Sequence, residues 1–241
     1  MNKITVNDTL MRMVVRAIDK AIADDIPLYL SENFKETNNA LGQYRGDCIN
    51  TNLRQMVVTD DITLIPFQRY GWSGRLLVDR IDKVTYTITT QQNLKAIPQK
   101  KGRTRPHFLQ SILAVENADY RGQYEQTSFY PVEIFDQDIL QQDFETIIAG
   151  LIAPEEGYRH YIIAYTASYN ELRDVRLDFL DRKFNVVDTQ SLNKYIKPDF
   201  ARLTAPEISE GTSEEIPDHS RRPLKLKPGL RPMLPENEDQ A

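Results

Sequence analysis

Five consecutive residues, Tyr161-Ile162-Ile163-Ala164-Tyr165, carry no charge and no turn former, and they restrict the fold more than any other segment. An uninterrupted apolar run of this length reads as a strand buried within a sheet. The rest of the chain must therefore supply neighbouring strands and a cover. Arg75–Val78 and Val84–Thr90 are β-rich runs on either side of Asp79–Lys83, the pattern of a hairpin. Val175-Arg176-Leu177-Asp178-Phe179 alternates apolar and polar residues, and Phe184–Val187 follows the turn Leu180–Lys183, which predicts a second hairpin. Ile62, Leu64 and Ile65 lead into Gln68–Trp72. Helical spacing of apolar residues predicts covering helices over 8–22, 106–118 and 137–152, with Asn7 or Asp8 capping the first and Pro106 opening the second. Asp24, Asp25 and Pro27 are expected to end the first helix, and residues 28–56 read as short helices, one capped by Asp47. The expected fold class is α+β: a mixed, mainly antiparallel sheet built from two hairpins and a central strand, covered by amphipathic helices.

The sharpest change along the chain falls near residue 205. Six of the thirteen prolines lie beyond it, at Pro206, Pro217, Pro223, Pro228, Pro232 and Pro235. With almost no aromatic or β-branched residues, this stretch cannot bury enough apolar surface to offset an ordering cost of roughly 1–2 kcal/mol per residue. Residues 1–204 are thus expected to form a single globular domain, helical over 1–58, and residues 205–241 a disordered, proline-rich, charged tail.

Composition narrows the chemistry. A single cysteine, Cys48, excludes an intrachain disulfide framework and a multi-cysteine zinc site. The net charge of −5 argues against coating nucleic acid by bulk charge, while leaving room for a local basic patch. No apolar run approaches the ~20 residues that cross a bilayer, so a cytoplasmic protein without membrane contact is expected. Phosphate-loop, dinucleotide-turn and His-Glu-x-x-His patterns are all missing, and Gly71-Trp72-Ser73-Gly74-Arg75 departs from a nucleophile elbow because Arg75 replaces the final glycine.

Three segments carry a likeness to other proteins: the run Trp72-Ser-Gly-Arg-Leu-Leu-Val-Asp79, the helix Pro106-His-Phe-Leu-Gln-Ser-Ile-Leu113 leading to Asn117, and the strand His160-Tyr-Ile-Ile-Ala-Tyr165. Over about residues 45–200 the chain resembles a bacterial family known only as a domain of unknown function. The resemblance implies a bacterial or phage-associated cytosolic protein. It assigns no catalytic or binding residues.

Two binding elements stand out. Lys95, Lys100, Lys101, Arg103, Arg105 and His107 crowd one glycine- and proline-punctuated loop in an otherwise near-neutral domain, where clustered cations release counterions from a nucleic-acid backbone or meet an acidic protein surface. In the tail, Arg221, Arg222, Leu224, Lys225, Leu226, Lys227, Leu230 and Arg231 interleave apolar and basic residues, the composition of a linear motif that docks on a protein partner in extended form. Trp72, Tyr70, Tyr120, Tyr124, Phe129 and Tyr130 suit either base stacking or half-buried packing. The expected function is a non-catalytic interaction protein, of the kind that regulates phage infection or defence, with no cofactor. The enzymatic alternative is a magnesium-dependent nuclease using Asp178, Asp181 and Lys183, although charged residues at a hairpin turn also arise simply because turns face water. Removing residues 205–241 is expected to leave the thermal transition nearly unchanged while lowering partner capture several-fold in a pull-down; a truncated chain that unfolds overturns the assignment of the tail.

Overall fold

The computed structural model describes residues 4, 6–33, 36–69, 72–122, 135–153, 156–168 and 170–197. All lie in a compact unit spanning Met1–Pro198. The candidate motif at 221–231 therefore falls outside the described residues, as do Tyr70, Tyr124, Phe129 and Tyr130.

The α+β expectation holds. Six strands form one sheet in chain order: β1 (Ile62–Arg69), β2 (Trp72–Asp79), β3 (Val84–Thr90), β4 (Arg159–Ser168), β5 (Glu171–Leu180) and β6 (Val186–Ser191). β1–β2–β3 and β4–β5–β6 are antiparallel meanders, and β3 joins β4 in the one parallel ladder. Parallel neighbours cannot be linked by a hairpin. Between Thr90 and Arg159 the chain therefore crosses one face of the sheet, carrying helices α4 (Gln91–Ala96), α5 (Phe108–Glu116) and α6 (Gln137–Ile148). The N-terminal helices α1 (Asp8–Lys20), α2 (Ile26–Glu32) and α3 (Leu41–Met56) complete the set, with α1 and α3 covering the opposite face.

This sandwich explains the apolar run Tyr161–Tyr165. Tyr161, Ile163 and Tyr165 turn to the N-terminal side, where they pack with Met11, Val14, Ile18 and Ile22. Ile162 and Ala164 turn to the crossover side, against Leu109 and Leu113 of α5. A third cluster seats Phe144, Ile147 and Ile148 of α6 on Ile65, Phe67, Leu76 and Val78. At roughly 1.5–3 kcal/mol for each fully buried large apolar side chain, these faces supply the main drive to fold.

Local signals place several boundaries. Asn7 caps α1, accepting from the Thr9 and Leu10 amides. Helix α5 starts two residues later than expected: Pro106 stands just outside it, and His107 is the cap. Two expectations fail. The first helix does not stop at Asp24–Pro27 but widens into a π-helical turn over Ala21–Asp25 and continues into α2, with Pro27 in the first turn where its missing N–H costs little. Asn52 of α3 binds this region, donating to the Ala17 carbonyl at 3.3 Å and to Asp25 at 2.7 Å. Residues 41–56 form one helix rather than several, with Asp47 in its interior, because Ile49 and Leu53 bury against α1 and outweigh the poor propensity of Gly42, Gly46 and Asn50.

A buried asparagine fastens the crossover to the sheet. Asn117, at the end of α5, accepts the His160 amide at 2.9 Å and donates to the carbonyls of His160 (2.9 Å) and Leu180 (2.7 Å). One side chain thus satisfies three backbone groups of β4 and β5 in a place closed to water. Asn117→Ala is expected to destabilise the domain by about 3 kcal/mol, since buried unpaired groups cost about 1–3 kcal/mol each, and urea unfolding checks it; a loss below ~1 kcal/mol overturns the role.

Candidate functional site

The two halves of the sheet are not joined along their full length. β1 pairs with β2 over eight rows and β3 with β4 over seven, but the β2–β3 ladder holds three, from Leu77↔Tyr86 to Asp79↔Val84. Beyond Leu77 and Tyr86 the strands part. The gap becomes a cleft of about 1450 Å³ between Trp72–Arg75 of β2, Thr87–Thr90 of β3, helices α3 and α4, and the loop that precedes α5.

Each wall is held in place by a contact that draws it away from the other. The Phe67 ring lies over Gly74, so close that a Cβ there would sit 2.3 Å from the ring, and only glycine lets β1 and β2 keep this contact. Phe67 also meets Phe108 at 5.5 Å, and Trp72 stacks on Phe108 at 5.3 Å with 27° between planes. Arg69, paired with Asp143 at 2.7 Å in a largely buried bridge, donates to the Pro106 carbonyl at 2.9 Å and anchors the end of the loop. On the other wall β3 remains bound to β4.

The charged residues lining the cleft are Arg45, Arg75, Lys100 and Arg103 against Asp47. Arg45 reaches Tyr165 with its guanidinium, while its buried Nε has no hydrogen-bond partner among the described residues. Burial raises the Tyr165 phenol above its ordinary value, with Arg45 pulling the other way. Of the six basic-loop residues singled out from the sequence, Lys100, Arg103 and His107 line the cleft. Lys95 is exposed on α4, and Lys101 and Arg105 are exposed on the loop outside that lining. His107 is an acceptor rather than a cation. Its Nδ1 takes the Leu109 amide at 3.2 Å, its own amide donates to Gln110 Oε1 at 2.7 Å, and burial, helped by Arg103, Arg69 and Lys100, pushes its pKa down to about 3. Arg45 and Arg75 escaped sequence reasoning because they come from other elements; Trp72 was among the aromatics suited to either base stacking or half-buried packing.

The acidic set behaves differently. Asp181 is buried and accepts four bonds, from Gly122 N (2.9 Å), Lys183 N (2.8 Å), Asn185 N (2.9 Å) and Asn185 Nδ2 (3.0 Å). Asp178 accepts from Arg176 Nε (2.9 Å) and Thr189 Oγ1 (2.7 Å). Lys183 is exposed. Both carboxylates are thus engaged in building the β5–β6 hairpin, and among the described residues no three His, Cys, Asp or Glu side chains gather in a way that would hold a metal ion.

A second polar cluster, which sequence reasoning missed, lies beneath the cleft. His160 is fully buried between Thr85 (Nδ1, 2.7 Å) and Thr87 (Nε2, 2.9 Å), and the Thr85 hydroxyl also binds Glu116. Thr87 itself lines the cleft. Burial raises Glu116 to about 8, the Thr85 bond opposing it, and lowers His160 to about 3, so both groups are neutral in the folded protein near pH 7. The linkage signs are opposite. A raised carboxyl stabilises the fold at low pH and loses that contribution as pH climbs from its unfolded value toward 8; a depressed histidine loses its contribution as pH drops below about 6.5. The Glu116 and His160 slopes cancel between about 4.5 and 6.5, where the depressed His107 still makes stability rise with pH, and the decline above 6.5 belongs to Glu116. Unfolding free energy is expected to fall by about 1–2 kcal/mol from pH 6.5 to 8, and Glu116→Gln, which mimics the neutral acid, should abolish that fall. Parallel profiles for the two proteins overturn this assignment.

A family model described as a family of unknown function (DUF5986) matches residues 3–241. No curated protein and no solved structure shows significant similarity to the chain.

Proposed function

We propose that this chain, which belongs to that family of unknown function, DUF5986, is a non-catalytic binding protein whose ligand is nucleic acid seated in the cleft between β2 and β3. One observation carries the reading: four cations, Arg45, Arg75, Lys100 and Arg103, surround the cleft with Asp47 as the one acid among its lining residues, in a chain whose net charge is −5. Positive charge concentrated against the overall balance marks a surface that meets an anion. A polyanion suits it better than a small one, because the cations come from α3, β2 and the loop and are spread along the cleft rather than gathered on one point.

The positions also support binding rather than turnover. Phosphodiester hydrolysis needs a metal or a general base presented to the scissile group. The described lining contains no carboxylate pair: Asp47 is its one acid, and the Nδ1 lone pair of His107 is taken by the Leu109 amide.

Fluorescence anisotropy with labelled oligonucleotides tests the reading. Affinity is expected to fall steeply with salt, and the double variant Lys100→Ala, Arg103→Ala to reduce the slope of log K against log salt by about 1.5, since each phosphate contact contributes roughly 0.7–0.9. Absence of binding at low salt, or a slope that ignores both substitutions, overturns it.

A further inference from the structure

We propose that the cleft takes single-stranded nucleic acid in preference to duplex, with a base stacked on Trp72 and the strand lying along the open edge of β3. The inference rests on the nucleic-acid reading above and adds the form of the ligand to it.

The first support is the open edge. Thr87–Thr90 pair with β4 but have no partner in β2. Along a strand, successive residues turn their N–H and C=O to opposite edges. Two of these four residues therefore direct a donor and an acceptor away from β4 and into the space that β2 has vacated. Donors and acceptors at alternating positions match the hydrogen-bonding edges of unpaired bases. A duplex has already used those edges on its own partner strand.

The second support is Trp72. Its indole is held by the stack on Phe108 at 5.3 Å and the edge contact with Phe67 at 5.6 Å, yet 46 % of the residue stays exposed. A tryptophan that only served the core would be covered. This one is oriented by neighbours and left open on the crossover side of a cleft that Lys100 and Arg103 also line, the combination of stacking platform and basic groove by which proteins hold single strands. Duplex bases are stacked on one another and offer no face to it.

An acidic peptide is the chemical rival, since an extended chain could add to the β3 edge as a strand. It would have no use for an exposed indole beside the cations, and the nucleic-acid reading is the one that employs both features.

Trp72 is the only tryptophan in the chain, so its fluorescence reports on the cleft directly. The full chain is titrated at fixed low salt with a single-stranded DNA oligonucleotide, the same sequence as a duplex, and a poly-glutamate peptide. Quenching by the single strand, with affinity about ten-fold or more above the duplex, is expected. Trp72→Ala should weaken single-strand binding by about ten-fold or more by anisotropy, while Trp72→Phe, which preserves the aromatic contacts to Phe67 and Phe108 and with them the melting temperature, keeps most of it. Duplex binding as tight as single-strand binding, still dependent on Lys100 and Arg103, overturns this inference and leaves the nucleic-acid reading standing. Quenching by poly-glutamate alone, or no binding by either nucleic acid, overturns both.

Discussion

The single parallel ladder between β3 and β4 is the constraint from which the rest of the architecture follows. It obliges the chain to cross the sheet between Thr90 and Arg159, which brings α4, α5, α6 and the basic loop to one face. The ladder is reinforced by an unusual concentration of buried polar groups. Asn117 bonds both backbone groups of His160, and the His160 ring lies between two threonines of the neighbouring strand. Apolar packing alone would tolerate small shifts along such a ladder. Directional bonds to buried groups do not, because a slip leaves several of them unpaired in low dielectric. β3 is therefore committed to β4, and β2, committed to β1 through Phe67 and Gly74, is free to leave it. The cleft is the space between two commitments.

This origin explains why the cleft has mixed walls. A pocket between helices would be lined by side chains only, but here the sheet itself opens, and backbone edges of β3 join side chains from α3, β2 and the loop. The electrostatics follow the same geometry. The loop is tethered at its end by Arg69 and by the His107 cap, and Lys100 and Arg103 on it line the cleft. His107, neutral and turned to the Leu109 amide, adds order rather than charge.

Much of the sheet was legible in the sequence because its signals are local. Period-two runs, the apolar 161–165 segment and the aspartate-led turns at Asp79 and Asp181 each depend on residues close together, and five strands lie where such signals fall; the last begins two residues later than the expected Phe184 and runs on to Ser191, because Phe184 and Asn185 are used in the turn. The helical half was harder. Gly42, Gly46 and Asn50 argue against a long helix when read alone, and only burial of Ile49 and Leu53 against α1 reverses the balance. The site was hardest, for the same reason. Lys100 and Arg103 belong to a visible cluster, but Arg45 lies 30 residues before Arg75 on a different element, and no spacing rule links them. The parting of β2 from β3 has no sequence signature at all. It results from the competition between two ladders.

Aspartates at the two hairpin turns show how the same residue type can suggest catalysis from sequence and serve architecture in the fold. Asp79 accepts the amides of Ile81 and Asp82 at 3.0 and 3.1 Å, and Asp181 those of Lys183 and Asn185. Each folds the turn back through its carboxylate, with Lys83 and Phe184 in left-handed conformations a few residues later. Such carboxylates have their lone pairs occupied by short-range donors, and withdrawing one to ligate a metal would release the turn. Glu116 presents the opposite case. It is buried, bonded through one oxygen to Thr85, and its other oxygen has no partner among the described residues. A carboxyl so placed holds its proton, and a neutral acid at one end of the Glu116–Thr85–His160–Thr87 series leaves a consistent direction for every hydroxyl and ring hydrogen in it. The series ends at a threonine on the cleft, which ties that wall through His160 to a carboxyl deep in the core.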